Sequence, residues 1–159
     1  MSDVNLFDVA LTEDDDDPDG YHTLYQRVGP LVGAEQLGLS VYELRPGQSI
    51  CPYHYEVGFE EWLIVLTGHP VLRTPEGEQE LGPWDVAFFP DGERGAHKVT
   101  NNTGERVRVA MLSNKGDPAV AVYPDSDKIG VWPQNKLFRL GDAVDYWAGE
   151  LVSDSSGGV

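Results

Sequence analysis

Nowhere before residue 135 does an apolar pattern at helical spacing run for more than two turns, because Pro or Gly interrupts every candidate. From Tyr21 to about Ala110 the chain offers instead a succession of short β-rich runs. They fall at 21–28, 37–45, 50–56, 60–67, 70–74, 79–81, 84–90, 96–100 and 106–113. The breaks between them carry turn chemistry: Pro46-Gly47, Pro75-Glu76-Gly77, Pro90-Asp91-Gly92 and Asn101-Asn102-Thr103-Gly104 supply preset φ or left-handed residues. Segments 71–74 and 79–81, joined through Pro75 to Glu78, read as a hairpin. The expectation is an all-β sandwich or barrel with helix as a minor component.

Two further extended segments are expected at 119–123 and 129–132. Residues 136–152 form a C-terminal segment whose Leu137, Phe138, Leu140, Val144, Tyr146 and Trp147 are too apolar for a free tail, so it is expected to pack on the barrel or on a partner. Residues 1–20, with Glu13 and Asp14 to Asp17, read as an acidic flexible arm, and the Ser- and Gly-rich residues 153–159 as a disordered tail. The barrel domain is expected over 21–135.

A chain of 159 residues suits one domain, burying about two-thirds of its unfolded surface. With 11 basic against 27 acidic residues, its net charge of -16 repels phosphate backbones and anionic lipid, which argues against nucleic acid and membrane surfaces as partners. Cys51 is the only cysteine, so no intrachain disulfide can form. With neither a signal-peptide pattern nor an apolar run near the ~20 residues of a membrane span, a cytoplasmic location is expected.

The stretch Pro52 to Gly68 sets His54, Glu56 and Glu61 beside a nearly unbroken apolar run. On an extended strand His54 and Glu56 project together, and a third donor arrives on the strand that follows. A second stretch, Trp84 to Asn101, ends one β-run in Pro90-Asp91-Gly92 and carries a single histidine, His97, on the next.

Together the two stretches resemble the paired motifs of the cupin superfamily. The first motif runs Gly, five residues, His-x-His, three or four residues, Glu, six residues, Gly. Here six residues separate Gly47 from His54, Glu56 stands where the second His would be, four residues lead to Glu61 and six more to Gly68. The second runs Gly, five residues, Pro-x-Gly, two residues, His, three residues, Asn. Here Pro90-Asp91-Gly92 is followed by four residues, His97, three residues and Asn101, with Trp84 at the position of the first Gly. The match covers roughly residues 37–113, and several shorter runs are similar to single-domain bacterial cupins of a poorly characterised subgroup.

The resemblance implies a cupin-type jelly-roll β-barrel with His54, Glu56, Glu61 and His97 as metal ligands. Two imidazoles and two carboxylates suit one divalent transition ion such as Fe, Mn, Zn, Ni or Co. Glu61 rather than Glu60 fits the spacing to Gly68, and strand neighbours face opposite sides. The implied activity is that of a metal enzyme acting on a small organic molecule, by oxygen-dependent oxidation or by isomerase or lyase chemistry. The alternative is a non-catalytic cupin binding a sugar or carboxylate. A homodimer is expected, since barrel edges are often covered by a neighbour. His22 and His69 read as surface residues; Tyr42, Phe88 and Met111 are candidate pocket walls, with plain packing as the simpler role.

Overall fold

The computed structural model describes residues 3–13 and 16–150, so the expected tail at 153–159 lies outside the described residues. In chain order the strands are β1 (Thr12–Glu13), β2 (Leu24–Arg27), β3 (Leu37–Leu44), β4 (Tyr55–Val57), β5 (Glu61–Thr67), β6 (Val71–Thr74) and β7 (Gly77–Glu80). They continue with β8 (Val86–Phe89), β9 (Lys98–Thr100), β10 (Val107–Asn114), β11 (Ala119–Tyr123), β12 (Lys128–Trp132) and β13 (Lys136–Arg139). Helix is confined among the described residues to a single turn, α1 (Val28–Leu31), and three short 3-10 segments. None of this is long and apolar enough to cross a membrane as a helix.

The strands pair antiparallel into a six-stranded sheet in the order β1-β2-β3-β10-β5-β8, a four-stranded sheet β13-β12-β11-β4 and a three-stranded sheet β7-β6-β9. One core joins the first and third: Leu44, Leu63, Val65, Leu72, Leu81, Phe89, Val99, Val107 and Val109 form a single buried cluster. On β5, Leu63 and Val65 point into that cluster and Trp62 points out, the period of two that a half-buried strand requires. Trp62 therefore lies on the outer surface against Phe88, with ring centroids 4.9 Å apart.

Gly68 closes β5 where no other residue fits. Its φ is +80°, and a Cβ there would approach Val107 Cγ2 to 2.8 Å and the Arg106 carbonyl to 2.9 Å. Trp84 also has a left-handed backbone (φ 72°), at the position where the resemblance expects Gly.

Several local expectations shift. The 71–80 hairpin turns through Pro75 and Glu76 alone, with Thr74 paired to Gly77, so β7 starts earlier than alternation suggested. Most of 50–56 is irregular, with β4 confined to Tyr55–Val57. Part of the N-terminal arm is tied down: β1 pairs with β2, Glu13 accepts two bonds from the Arg45 guanidinium, and Arg108 donates to the Phe7 carbonyl. At the other end, β13 extends the four-stranded sheet, while Val144, Tyr146 and Trp147 are exposed.

Candidate metal centre

His54 and His97 are held opposite each other by their own backbones. His54 N donates to the His97 carbonyl (3.1 Å) and His97 N to the His54 carbonyl (2.8 Å). In an antiparallel bridge such a pair carries its side chains on one face, and the two rings lie 4.7 Å apart. Each Nδ1 sits against a backbone carbonyl, Pro52 O at 3.1 Å for His54 and Gly95 O at 2.9 Å for His97. A carbonyl only accepts, so Nδ1 carries the proton in both rings and each Nε2 presents a lone pair. Phe89 lies flat on His97 at 3.7 Å and 7°, while Tyr123 stacks on His54 at 5.8 Å. Gly95 is required beside this site, because a Cβ there would fall 1.9 Å from the Pro90 carbonyl oxygen.

Glu61 opens β5 opposite Phe89, and Glu56 lies on β4 opposite Ala121. The loop between them is pinned from two sides. Gly58 N donates to Asp91 Oδ1 at 2.6 Å, and Glu60 N donates to Asn114 Oδ1 at 2.7 Å. Glu60 is left exposed and Glu61 is turned inward, as strand alternation requires.

Glu61 Oε2 is buried without a hydrogen-bond partner, 3.6 Å from His97 Nε2 and 4.0 Å from His54 Nε2. The ligand atoms of His54, Glu61 and His97 all lie within 4.8 Å of one another. Glu56 is outside that group, with its Oε1 3.7 Å from His54 Nε2. Three inward-facing acceptors with no donor among them fit a cation, and their nitrogen and oxygen chemistry fits a transition ion.

The charges support this. Burial pushes the Glu56 carboxyl up to about 7, and burial together with the Glu56 charge does the same to Glu61. Burial lowers His54, and burial reinforced by His54 lowers His97 to about 4. Close as they are, the imidazoles and carboxyls are therefore not ion pairs, because the rings are neutral near pH 7.

These groups line a cavity of about 480 Å³, whose wall includes Tyr42 and Met111, for which plain packing was the simpler role, and also Arg27, Cys51, Tyr123 and Trp132. Phe88 faces away, against Trp62. Burial holds the Tyr42 and Tyr123 hydroxyls and the Cys51 thiol up to about 12, so all three remain protonated. Arg27 and Tyr123 were missed by sequence reasoning because neither lies in a motif; strand pairing alone brings them here.

No family model matches the sequence, and no curated protein matches it. Solved structures do. A sugar phosphate isomerase from a cupin superfamily, from Silicibacter pomeroyi, superposes with a TM-score of 0.79 over 89% of this chain and 95% of its own, at 22% identity. A protein from Acidithiobacillus ferrooxidans, provisionally named for the same activity, gives 0.73 over 79% and 81% at 23% identity. The polyketide cyclase RemF from Streptomyces resistomycificus gives 0.61 over 75% and 83% at 26% identity.

Proposed function

We propose that this chain, whose fold is that of a cupin barrel, holds one divalent transition-metal ion on His54, Glu61 and His97 and acts on a small organic molecule in the cavity beside it. The observation that carries the reading is the convergence of His54 Nε2, His97 Nε2 and the unpartnered Glu61 Oε2. A cation held there supplies a Lewis acid for an oxygen of the bound molecule and offsets the buried carboxylate charge.

The remaining residues support proton-transfer chemistry, isomerisation or elimination. Glu56 Oε1 stands beside the three-residue group and belongs to a carboxyl held at about 7, which suits it to take a proton from a bound molecule and return it. Tyr42 and Tyr123, protonated in the cavity wall, donate hydrogen bonds to ligand oxygens. Ile50, Val99 and Met111 supply the apolar wall that limits water. Two structural neighbours named for sugar phosphate isomerisation favour the same class. Oxygen-dependent oxidation is the second reading, favoured by the two-histidine, one-carboxylate grouping itself.

Protein purified without an affinity tag should contain close to one transition-metal ion per chain, and His54→Ala and His97→Ala should lose it. Incubated in D₂O with small hydroxycarbonyl compounds, the protein should place solvent deuterium on carbon next to the carbonyl. Glu56→Gln should abolish that exchange while keeping the metal. Absence of metal from the unmodified protein sinks the reading; turnover that requires O₂ selects oxidation, and stoichiometric binding without turnover selects a binding protein.

A further inference from the structure

We infer that the molecule taken into this cavity carries an anionic oxygen group, a carboxylate or phosphate, and that Arg27 receives it; the inference rests on the cavity being the ligand site proposed above.

The register of the six-stranded sheet puts Arg27 on the cavity face. Arg27 pairs with Ser40 of β3, and Ser40 pairs with Met111 of β10. Directly opposed residues in antiparallel strands share a face, so the three side chains form a row on the side that Met111 shows to be the cavity wall. The neighbouring pair agrees: Tyr25 stands opposite Tyr42, another wall residue, and two residues along the strand from Arg27. Arg27 is exposed at the rim and still reaches the lining.

Its charge is uncommitted. Arg45 pairs with Glu13, Arg73 with Asp125, and Arg106 and Arg108 with Glu43, whereas Arg27 has no ion pair among the described residues. It is also the only Lys or Arg among the described residues lining this cavity. In a chain of net charge -16, the Arg27 guanidinium is the one cationic side chain among the described residues lining this cavity that can attract an anion. A divalent ion would balance Glu56 and Glu61, leaving the cavity net positive through Arg27. The guanidinium fork matches carboxylate and phosphate oxygens in a two-bond arrangement.

The sheet register sets the scale of the gap between Arg27 and Glu61. The row from Arg27 through Ser40 and Met111 ends on Leu63 of β5, three strand steps or roughly 14 Å across the sheet at about 4.8 Å per step, and Glu61 lies two residues further along β5 on the same face. The long arginine side chain and the curvature of the barrel shorten the path that a ligand must span. A molecule with an oxygen at the Glu61 end and an anion at the Arg27 end would lie along this cavity of about 480 Å³, which both residues line.

The test is titration calorimetry with two matched pairs of probes, glycolate against ethylene glycol and glycerol 3-phosphate against glycerol. Each is run on tag-free protein as purified and after chelation, with metal content measured on the same samples. At least one acidic probe should bind tenfold or more tightly than its neutral counterpart, and which pair responds separates carboxylate from phosphate. Arg27→Gln should remove that preference without changing metal content or melting temperature, and Arg27→Lys should retain part of it. Equal binding of acid and neutral probes, binding unchanged in Arg27→Gln, or no binding of either acid at tens of millimolar overturns the inference. Protein that carries no metal as purified and still prefers acids through Arg27 keeps it and sinks the metal reading; metal-loaded protein without the preference does the reverse.

Discussion

His54 and His97 exchange backbone hydrogen bonds with each other, so main-chain pairing sets opposite each other the two imidazoles that converge on Glu61 Oε2. The consequence is a site set before any ligand arrives. Each ring is further fixed by its Nδ1 bond to Pro52 O or Gly95 O and by an aromatic neighbour.

Removing either ring should therefore empty the site without unfolding the barrel. His54→Ala and His97→Ala are expected to weaken metal binding by more than the roughly 10–100-fold that loss of an outer-shell partner costs. Metal competition assays measure this. Affinity within threefold of the unmodified protein in both variants would show that neither ring is a ligand.

Metal uptake should be steeply dependent on pH. Folded Glu56 and Glu61 keep their protons up to about 7, against 4.5 for ordinary carboxyls, so cation binding near pH 6 must release protons and affinity should climb as pH rises through about 7. The same shift acts on stability. Between those values the folded chain binds more protons than the unfolded one, so the carboxyls' contribution is present below 4.5 and lost as pH rises through about 7. His97, lowered to about 4 from 6.5, acts in the opposite sense and only below 6.5. Metal-free protein should thus melt at lower temperature at a pH of about 8 than at about 6.5. Saturating cation, or Glu61→Gln, should shrink the difference; a pH-independent melting point without metal would contradict the assignment.

Asn101 is expected to matter for stability, not chemistry. Fully buried, it donates Nδ2 to the carbonyls of Leu44 (3.0 Å) and Glu105 (2.7 Å) and accepts at Oδ1 from Thr103 N and Thr103 Oγ1. Asn101→Ala leaves the buried Leu44 carbonyl and the part-buried Glu105 carbonyl without this donor, which should cost about 2 kcal/mol and lower the melting temperature by roughly 4–8 °C. Thermal melts and metal analysis together check it: metal content should be unchanged.

Trp84 offers the opposite change. Its φ of 72° costs a residue with a Cβ about 1 kcal/mol or more, while its side chain is 69% exposed and contributes little packing. Trp84→Gly should raise the melting temperature by a few degrees, and the β-branched Trp84→Val should lower it. A lower melting point for the glycine variant would mean that Trp84 packs for more than its backbone costs.

Strand content was legible because its signals are local. Alternation of Leu63 and Val65 with Trp62 and Ile64, and turn residues such as Pro90-Asp91-Gly92, fix extended runs and their ends without reference to distant residues. The irregular path through 50–54 and the pairing of β13 on β12 were not legible, because each depends on a partner far along the chain. Trp62 shows the limit of hydrophobicity as a guide: alternation assigns it to the opposite face from Leu63 but cannot say which face is the core.

For the site, the sequence by itself determined the chemical types and their spacing: His54, Glu56, Glu61 and His97, with Gly68 and Asn101 as the turn-forming partners. Tertiary structure decided which of them meet. It brought the side-chain donor atoms of His54, Glu61 and His97 within 4.8 Å of one another, set Glu56 Oε1 3.7 Å from His54 Nε2, and added Arg27 and Tyr123 to the wall. The reason is physical: which residue types occur along a strand is a property of the strand, whereas register between strands is set by hydrogen bonds and burial shared across the whole barrel.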